Sequence, residues 1–148
     1  MNLEQEKFNE PAKVFLYHPG QKYPNGTPAT KAHWLPKYNG KIRLEFNHIV
    51  AEEYFDDTKT ESTTQQLRKF WNTMFNHEIQ PNMELFPGKN CDRSWVYSGK
   101  VDKKMQTFAI RFKSAEVAQR FKFLFDDIRD MKRDVARMRK MKRLQSTN

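Results

Sequence analysis

One cysteine, Cys91, and four histidines, His18, His33, His48 and His77, are the side chains here best suited to nucleophilic or proton-transfer chemistry. A thiol becomes a useful nucleophile only beside a base or a cation. A Cys91–His77 pair is one reading; an isolated small thiol in the interior or on the surface is the other. The five residues are scattered without the spacing of a metal site. The chain has no GxxxxGK[ST] phosphate loop, no GxSxG elbow and no HExxH helix, and its five glycines sit in turn-like contexts rather than a phosphate cradle. These absences predict a protein that is not an enzyme and needs no metal or cofactor, so the chemistry to seek is binding.

Charge is the first clue to the class of partner. The formal net charge is +9, but it is unevenly spread. From Arg129 to Asn148 eight basic residues face only Asp130 and Asp134, a net +6. From Glu45 to Gln66 six acids face only Lys59, a net −5. Such polarisation suits a partner that is itself charged in two places, although solvated loops and a solvated helix face carry the same signature.

The elements that would position these charges follow from periodicity. Lys13–Tyr17 (KVFLY) reads as a first strand, and His18–Ala29, crowded with Pro, Gly and Asn, as a loop. Asn39-Gly40 is a tight-turn signal leading into Lys41–Phe46 (KIRLEF), where Ile42, Leu44 and Phe46 face one way and Lys41, Arg43 and Glu45 the other. Glu52–Thr64 has no apolar period and reads as an exposed insertion, or a short helical turn plus loop. Leu67–Phe75 fits a strand or about two helical turns. Met83–Phe86 reads as a short strand ended by Pro87-Gly88. Ser94–Ser98 (SWVYS) and Thr107–Phe112 (TFAIRF) are strands flanking the polar hairpin connection Val101–Lys104.

A long helix then opens at Ser114, an N-cap serine with Glu116 in the first turn. Phe121, Leu124, Ile128, Met131, Val135 and Met138 recur at spacings of three and four. Its Phe-rich first half is expected to pack on the sheet. The Met- and Arg-rich second half is expected to project, as a solvated helix or as a short coiled-coil or partner-binding stretch.

Length and composition set the outer bounds. The 148 residues suit one domain, and 37% hydrophobic residues with 12 Phe can fill a core. No run of 18 apolar residues is present, the N-terminal stretch MNLEQEKFNE is polar, and a single cysteine suits a reducing compartment. A soluble intracellular domain is expected. About seven short strands closed by one C-terminal amphipathic helix give a mainly β fold, the layout of a pleckstrin-homology-like bent sandwich or barrel capped by a long helix.

Three stretches carry a family resemblance. Ala12–Phe15 resembles a first strand usually written AKLFRF. Trp34, then Gly40 and Lys41–Leu44, resemble W-x5-G-D-[IV]-K-[LI], with Lys41 where Asp is usual. Asn76-His77, Pro81, Met83–Leu85, Pro87 and Asp92–Tyr97 resemble NH-x-I-x-P-x-MELKP…SDRAWVW, with Tyr97 at the second Trp and Asp102 near a downstream acid. Ala109–Phe112, Ala115-Glu116, Ala118-Gln119 and Phe121-Lys122 continue as LAIRF-x-x-AE-x-A-x-x-FK. Together they are similar to the Ran-binding domain family over residues 12–127.

That resemblance implies a domain at residues 12–128, preceded by a flexible segment 1–11 and followed by a basic helical extension 129–148. It implies binding of the small GTPase Ran in its GTP form, whose released acidic C-terminal tail lies on a basic patch. Help to the Ran GTPase-activating protein and disassembly of export complexes would follow. The residues it points to are Lys13, Trp34, Lys37, Lys41, Arg43, Arg68, Lys69, Asn76, Arg93, Trp95, Tyr97 and Lys100. The acidic lead-in usual before the first strand is reduced here to Glu4, Glu6 and Glu10, opposed by Lys7. A monomer is implied, located in the cytoplasm, the nucleus or at the pore, binding neither membrane nor nucleic acid. Alternatives of other classes are a pleckstrin-like module reading phosphoinositide headgroups, a homology-1 type module holding a proline-rich peptide on Trp34, Trp71 and Trp95, and RNA binding through the basic C-terminus.

Overall fold

The computed structural model describes residues 8–56 and 69–146, and period-2 alternation becomes strand wherever one face can be buried. In chain order the elements are β1 (Asn9–His18), β2 (Gln21–Lys22), β3 (Pro28–Thr30), β4 (His33–Glu45), β5 (His48–Asp56), β6 (Lys69–Glu78), β7 (Phe86–Gly88), β8 (Cys91–Val101), β9 (Lys104–Phe112) and α1 (Ala115–Ser146). Seven strands form one antiparallel sheet in the order β6-β5-β4-β1-β9-β8-β7, and β2 and β3 pair separately. The hairpin from β8 to β9 turns on Asp102 and Lys103, both at positive φ, as a two-residue loop of right-handed twist requires.

The sheet bends until its edge strand β6 meets β8. There the His77 ring nitrogen Nδ1 lies 2.8 Å from the Tyr97 hydroxyl, and the Phe75 and Phe108 rings pack with centroids 5.2 Å apart. Gly99 lies close against this seam, where a Cβ on it would sit 3.1 Å from the His77 ring. One open end of the bent sheet is plugged by α1. Its Ser114 hydroxyl accepts from the Val117 N–H at 3.2 Å, and Ala118, Phe121 and Phe125 are buried. Phe8 packs edge-on against Phe112 at 5.4 Å and against Phe121 at 5.3 Å. Trp95 Nε1–H donates to the Ala118 carbonyl at 2.7 Å, tying sheet to helix. Each buried phenyl contributes about 1.5–3 kcal/mol. The result is the expected mainly β, helix-capped, pleckstrin-homology-like architecture.

Several local expectations are corrected. Asn39-Gly40 is not a turn; β4 runs straight through it. Gly40 is there because β5 passes so close that a Cβ would lie 2.0 Å from the Glu52 carbonyl oxygen. Phe46 does not share the inward face of Ile42 and Leu44. It sits in the β4–β5 turn at φ 55° and is exposed. Glu52–Asp56 continues β5 through a bulge at Ala51/Glu52, so the expected loop starts later; residues 57–64 of it lie outside the described residues. Within the ambiguous Leu67–Phe75, residues 69–75 belong to strand β6 while residues 67 and 68 lie outside the described residues, and the strand expected at Met83–Phe86 falls instead at Phe86–Gly88. The expected loop His18–Ala29 holds β2 and the start of β3.

The helix stays attached beyond its aromatic half. Arg129 donates to the Met83 carbonyl at 3.4 Å, Lys132 pairs with Glu78 at 2.6 Å, and Arg133 donates to the Pro81 carbonyl at 2.7 Å. That ion pair holds the Glu78 carboxyl below its usual range, through the hydrogen bond from Lys132 first. From Asp134 to Gln145 the helix is exposed.

Candidate functional site

Outward-facing residues of β1, β4 and β9 build a basic groove. Alternation that buries Ala12 and Val14 turns Lys13 outward, and burial of Ile110 and Phe112 does the same for Arg111. The β1–β9 register sets these two directly opposite each other, and on the far side of Lys13 lies Asn39 of β4. Arg93 enters from β8, whose Ser94 pairs with Arg111, and Lys113 follows the end of β9. Lys13, Asn39, Arg93, Arg111 and Lys113 line a groove of about 290 Å³. The Arg111 guanidinium lies 5.0 Å over the Phe15 ring, which holds it along the sheet. Glu10 opposes one end, pairing with Lys113 at 3.4 Å and Arg120 at 3.6 Å. Strands spaced about 4.8 Å apart thus bring Lys13, Arg93 and Arg111 close together with no acid between them, an arrangement able to hold consecutive carboxylates.

Two and four residues beyond Asn39 along β4, Lys41 and Arg43 have a different environment. Arg43 Nε donates to Glu52 at 2.9 Å and Nη1 bonds Glu45, so the guanidinium is already neutralised by its own chain. The hydrogen bond to Glu52, opposed by burial and assisted by Glu45, pushes its pKa further up. Lys41 lies 4.1 Å over the Trp71 ring and is opposite Glu52 in the β4–β5 register. This strip carries cations, but its charge is compensated.

The family model described as RanBP1 domain matches residues 55–131, just over half of the chain. The chain belongs to the RanBP1 domain family. Solved structures agree on the fold. The Ran-binding domain of the nuclear pore complex component NUP2 from Ashbya gossypii matches with a TM-score of 0.52 at 14% identity, covering 85% of this chain and 98% of that one. A second structure of that domain gives 0.54 at 12% identity, covering 85% and 97%.

The other expected site residues of this RanBP1 domain are dispersed. Trp34 opens β4 and packs on Tyr17 at 5.2 Å, partly exposed, while Lys37 is exposed at the β1–β4 bulge. Asn76 and Lys100 line a separate cleft of about 580 Å³ where β6 passes β8. Lys69 begins β6, and Arg68 lies outside the described residues. Trp95 and Tyr97 are buried, the indole bonded to Ala118 and the phenol to His77, so they shape the fold and present no surface to a partner. The Tyr97 hydroxyl pKa is pushed well up by burial. With Trp95 inside, Trp34 on Tyr17 and Trp71 on Tyr54 at 5.1 Å, the three indoles do not line one proline groove.

No Cys91–His77 pair forms. His77 is held by Tyr97 and stacks on Phe75 at 4.2 Å, whereas the Cys91 thiol is lowered in pKa by a hydrogen bond with Ser94 and by the Arg93 backbone. Among the described residues no cluster of histidine, cysteine or carboxylate fits a metal ion, and no helix is long and apolar enough to cross a membrane. Sequence reading missed Arg111 and Lys113. Alternation in TFAIRF marks Arg111 as outward, but only the β1–β9 pairing shows that it faces Lys13.

Proposed function

We propose that this RanBP1 domain binds the small GTPase Ran in its GTP form and holds Ran's released acidic C-terminal tail on Lys13, Arg93, Arg111 and Lys113. The observation that carries the reading is this groove of cations in a member of the RanBP1 domain family. A run of carboxylates needs several positive charges at strand spacing that are not already matched by the protein's own acids. Lys13, Arg93 and Arg111 meet that requirement, and Arg43 does not. Individual exposed ion pairs contribute only about 0–1 kcal/mol, so affinity rests on several acting together and falls with added salt. The domain supplies no catalytic group. As a monomer in the cytoplasm or at the nuclear pore it would assist hydrolysis by the Ran GTPase-activating protein and the release of exported cargo.

Calorimetry with Ran loaded with GTP or GDP tests the reading. The GTP form should bind at least about tenfold more tightly, equivalent to about 1.4 kcal/mol. Equal affinity for both forms refutes it.

A further inference from the structure

The second half of α1 and the β4–β5 turn enclose a groove that the Ran reading does not use. Its volume is about 660 Å³, and its apolar lining includes Phe46, Pro81, Ile128, Met131 and Val135, with Lys132 and Arg139 at the rim. Both walls are fixed. The Ile79 N–H donates to the Asn47 carbonyl at 2.7 Å, pinning the turn beside the end of β6, and Lys132–Glu78 and Arg133–Pro81 pin the helix. Phe46 is 83% exposed, Met131 61%, Val135 47% and Met138 68%. Single exposed apolar residues are ordinary; a contiguous set along one helix stripe facing an exposed phenyl is not. Phe46 also sits at φ 55°, a conformation that costs a bulky residue on the order of 1 kcal/mol.

We infer that this groove is a docking site for an acidic amphipathic helix of another protein. Concavity argues for a rod-like guest, since a bilayer meets a convex face. Met131 on the helix wall, beside Ile128 and Val135, gives an adaptable apolar surface for side chains at i, i+3, i+4 and i+7 of the guest. Charge decides its sign. Arg139 lines the groove, and Arg139, Lys140 and Lys142 have no carboxylate within ion-pair distance among the described residues, whereas Glu78 in the lining is already paired with Lys132. A second copy of this chain would set those cations against their own kind. A guest carrying glutamates beside its apolar stripe would neutralise them.

The test uses the full chain and a fluorescent helical peptide of about 20 residues, with leucine at i, i+3, i+4 and i+7 and glutamate on its flanks. Anisotropy should show saturable binding, weakened about tenfold or more by Val135→Glu and by Phe46→Ala, neither of which touches the core. A twin peptide with lysine replacing glutamate should not bind. Lys13→Glu with Arg111→Glu should leave peptide binding unchanged, which separates this site from the one proposed for Ran. Absence of saturable binding, indifference to Val135→Glu, or equal binding of the lysine twin overturns the proposal. So does self-association in sedimentation equilibrium, or co-sedimentation with phosphatidylserine vesicles, that Val135→Glu abolishes.

Discussion

His77 should make the fold acid-sensitive at pH values where carboxylates are still ionised. Its ring is 5% exposed, stacked on Phe75 and bonded through Nδ1 to Tyr97, while Nε2 is buried without a hydrogen-bond partner. Burial pushes its pKa down from 6.5 to about 4. The unfolded chain therefore takes up a proton near pH 6.5 that the folded protein resists until about pH 4. Stability is fully present above the unfolded pKa and is lost as pH falls between those two values. At about 1.4 kcal/mol per pH unit, the loss from this residue between pH 8 and pH 5 is about 2 kcal/mol. His77→Phe keeps the ring and removes the proton site. The variant loses the partner of the Tyr97 hydroxyl, at a cost of about 1–3 kcal/mol that does not depend on pH in this range. Urea unfolding of both proteins at pH 8 and pH 5 measures the difference. The gap between wild type and variant should shift in the variant's favour by about 2 kcal/mol on going to pH 5. Parallel pH dependences would show that the imidazole is not held neutral by the core.

Three further outcomes follow from packing and charge. Phe121→Ala should cost about 3–5 kcal/mol in chemical denaturation by opening a cavity against Phe8, Phe112 and Phe125, whereas deleting Asp134–Asn148 should change stability by less than about 1 kcal/mol; equal losses would mean that the distal helix packs on the domain. Gly40→Ala should cost about 2–3 kcal/mol or more, because its Cβ meets the Glu52 carbonyl at 2.0 Å; a neutral result in a melting experiment would contradict that close approach. Glu52→Gln leaves Arg43 paired with Glu45 alone and removes one carboxylate from the strip, so the affinity for Ran·GTP should rise slightly or stay level in calorimetry; a loss beyond about tenfold would place the binding surface on the strip itself.

Local signals carried much of the fold. The alternation in Thr107–Phe112, the hairpin at Val101–Lys104 and the Ser114 cap each became the element they suggest, because each depends on neighbouring residues. The failures were places where distant contacts decide. Asn39-Gly40 is the same dipeptide whether glycine serves a turn or a close strand approach, and only β5 distinguishes them. Trp95 and Tyr97 could have faced either side of a short strand; the Ala118 carbonyl and the His77 ring drew them inward. For the candidate site, Lys13 and Arg93 were readable as cations and their grouping was not. They join Arg111 and Lys113 through pairings between strands from opposite ends of the chain. Arg43 looked equally available until β5 supplied Glu52.

The most direct test of the proposed function is a thermodynamic cycle read by calorimetry. Wild type and the Lys13→Glu/Arg111→Glu variant are each titrated with Ran·GTP, full length and lacking its acidic C-terminal tail. Against full-length Ran the variant should lose a few kcal/mol, about 2–4, because two reversed charges face the tail. Against truncated Ran, wild type and variant should bind alike. A variant that binds full-length Ran as wild type does, or that loses as much against truncated Ran, would contradict the placement of the tail in this groove.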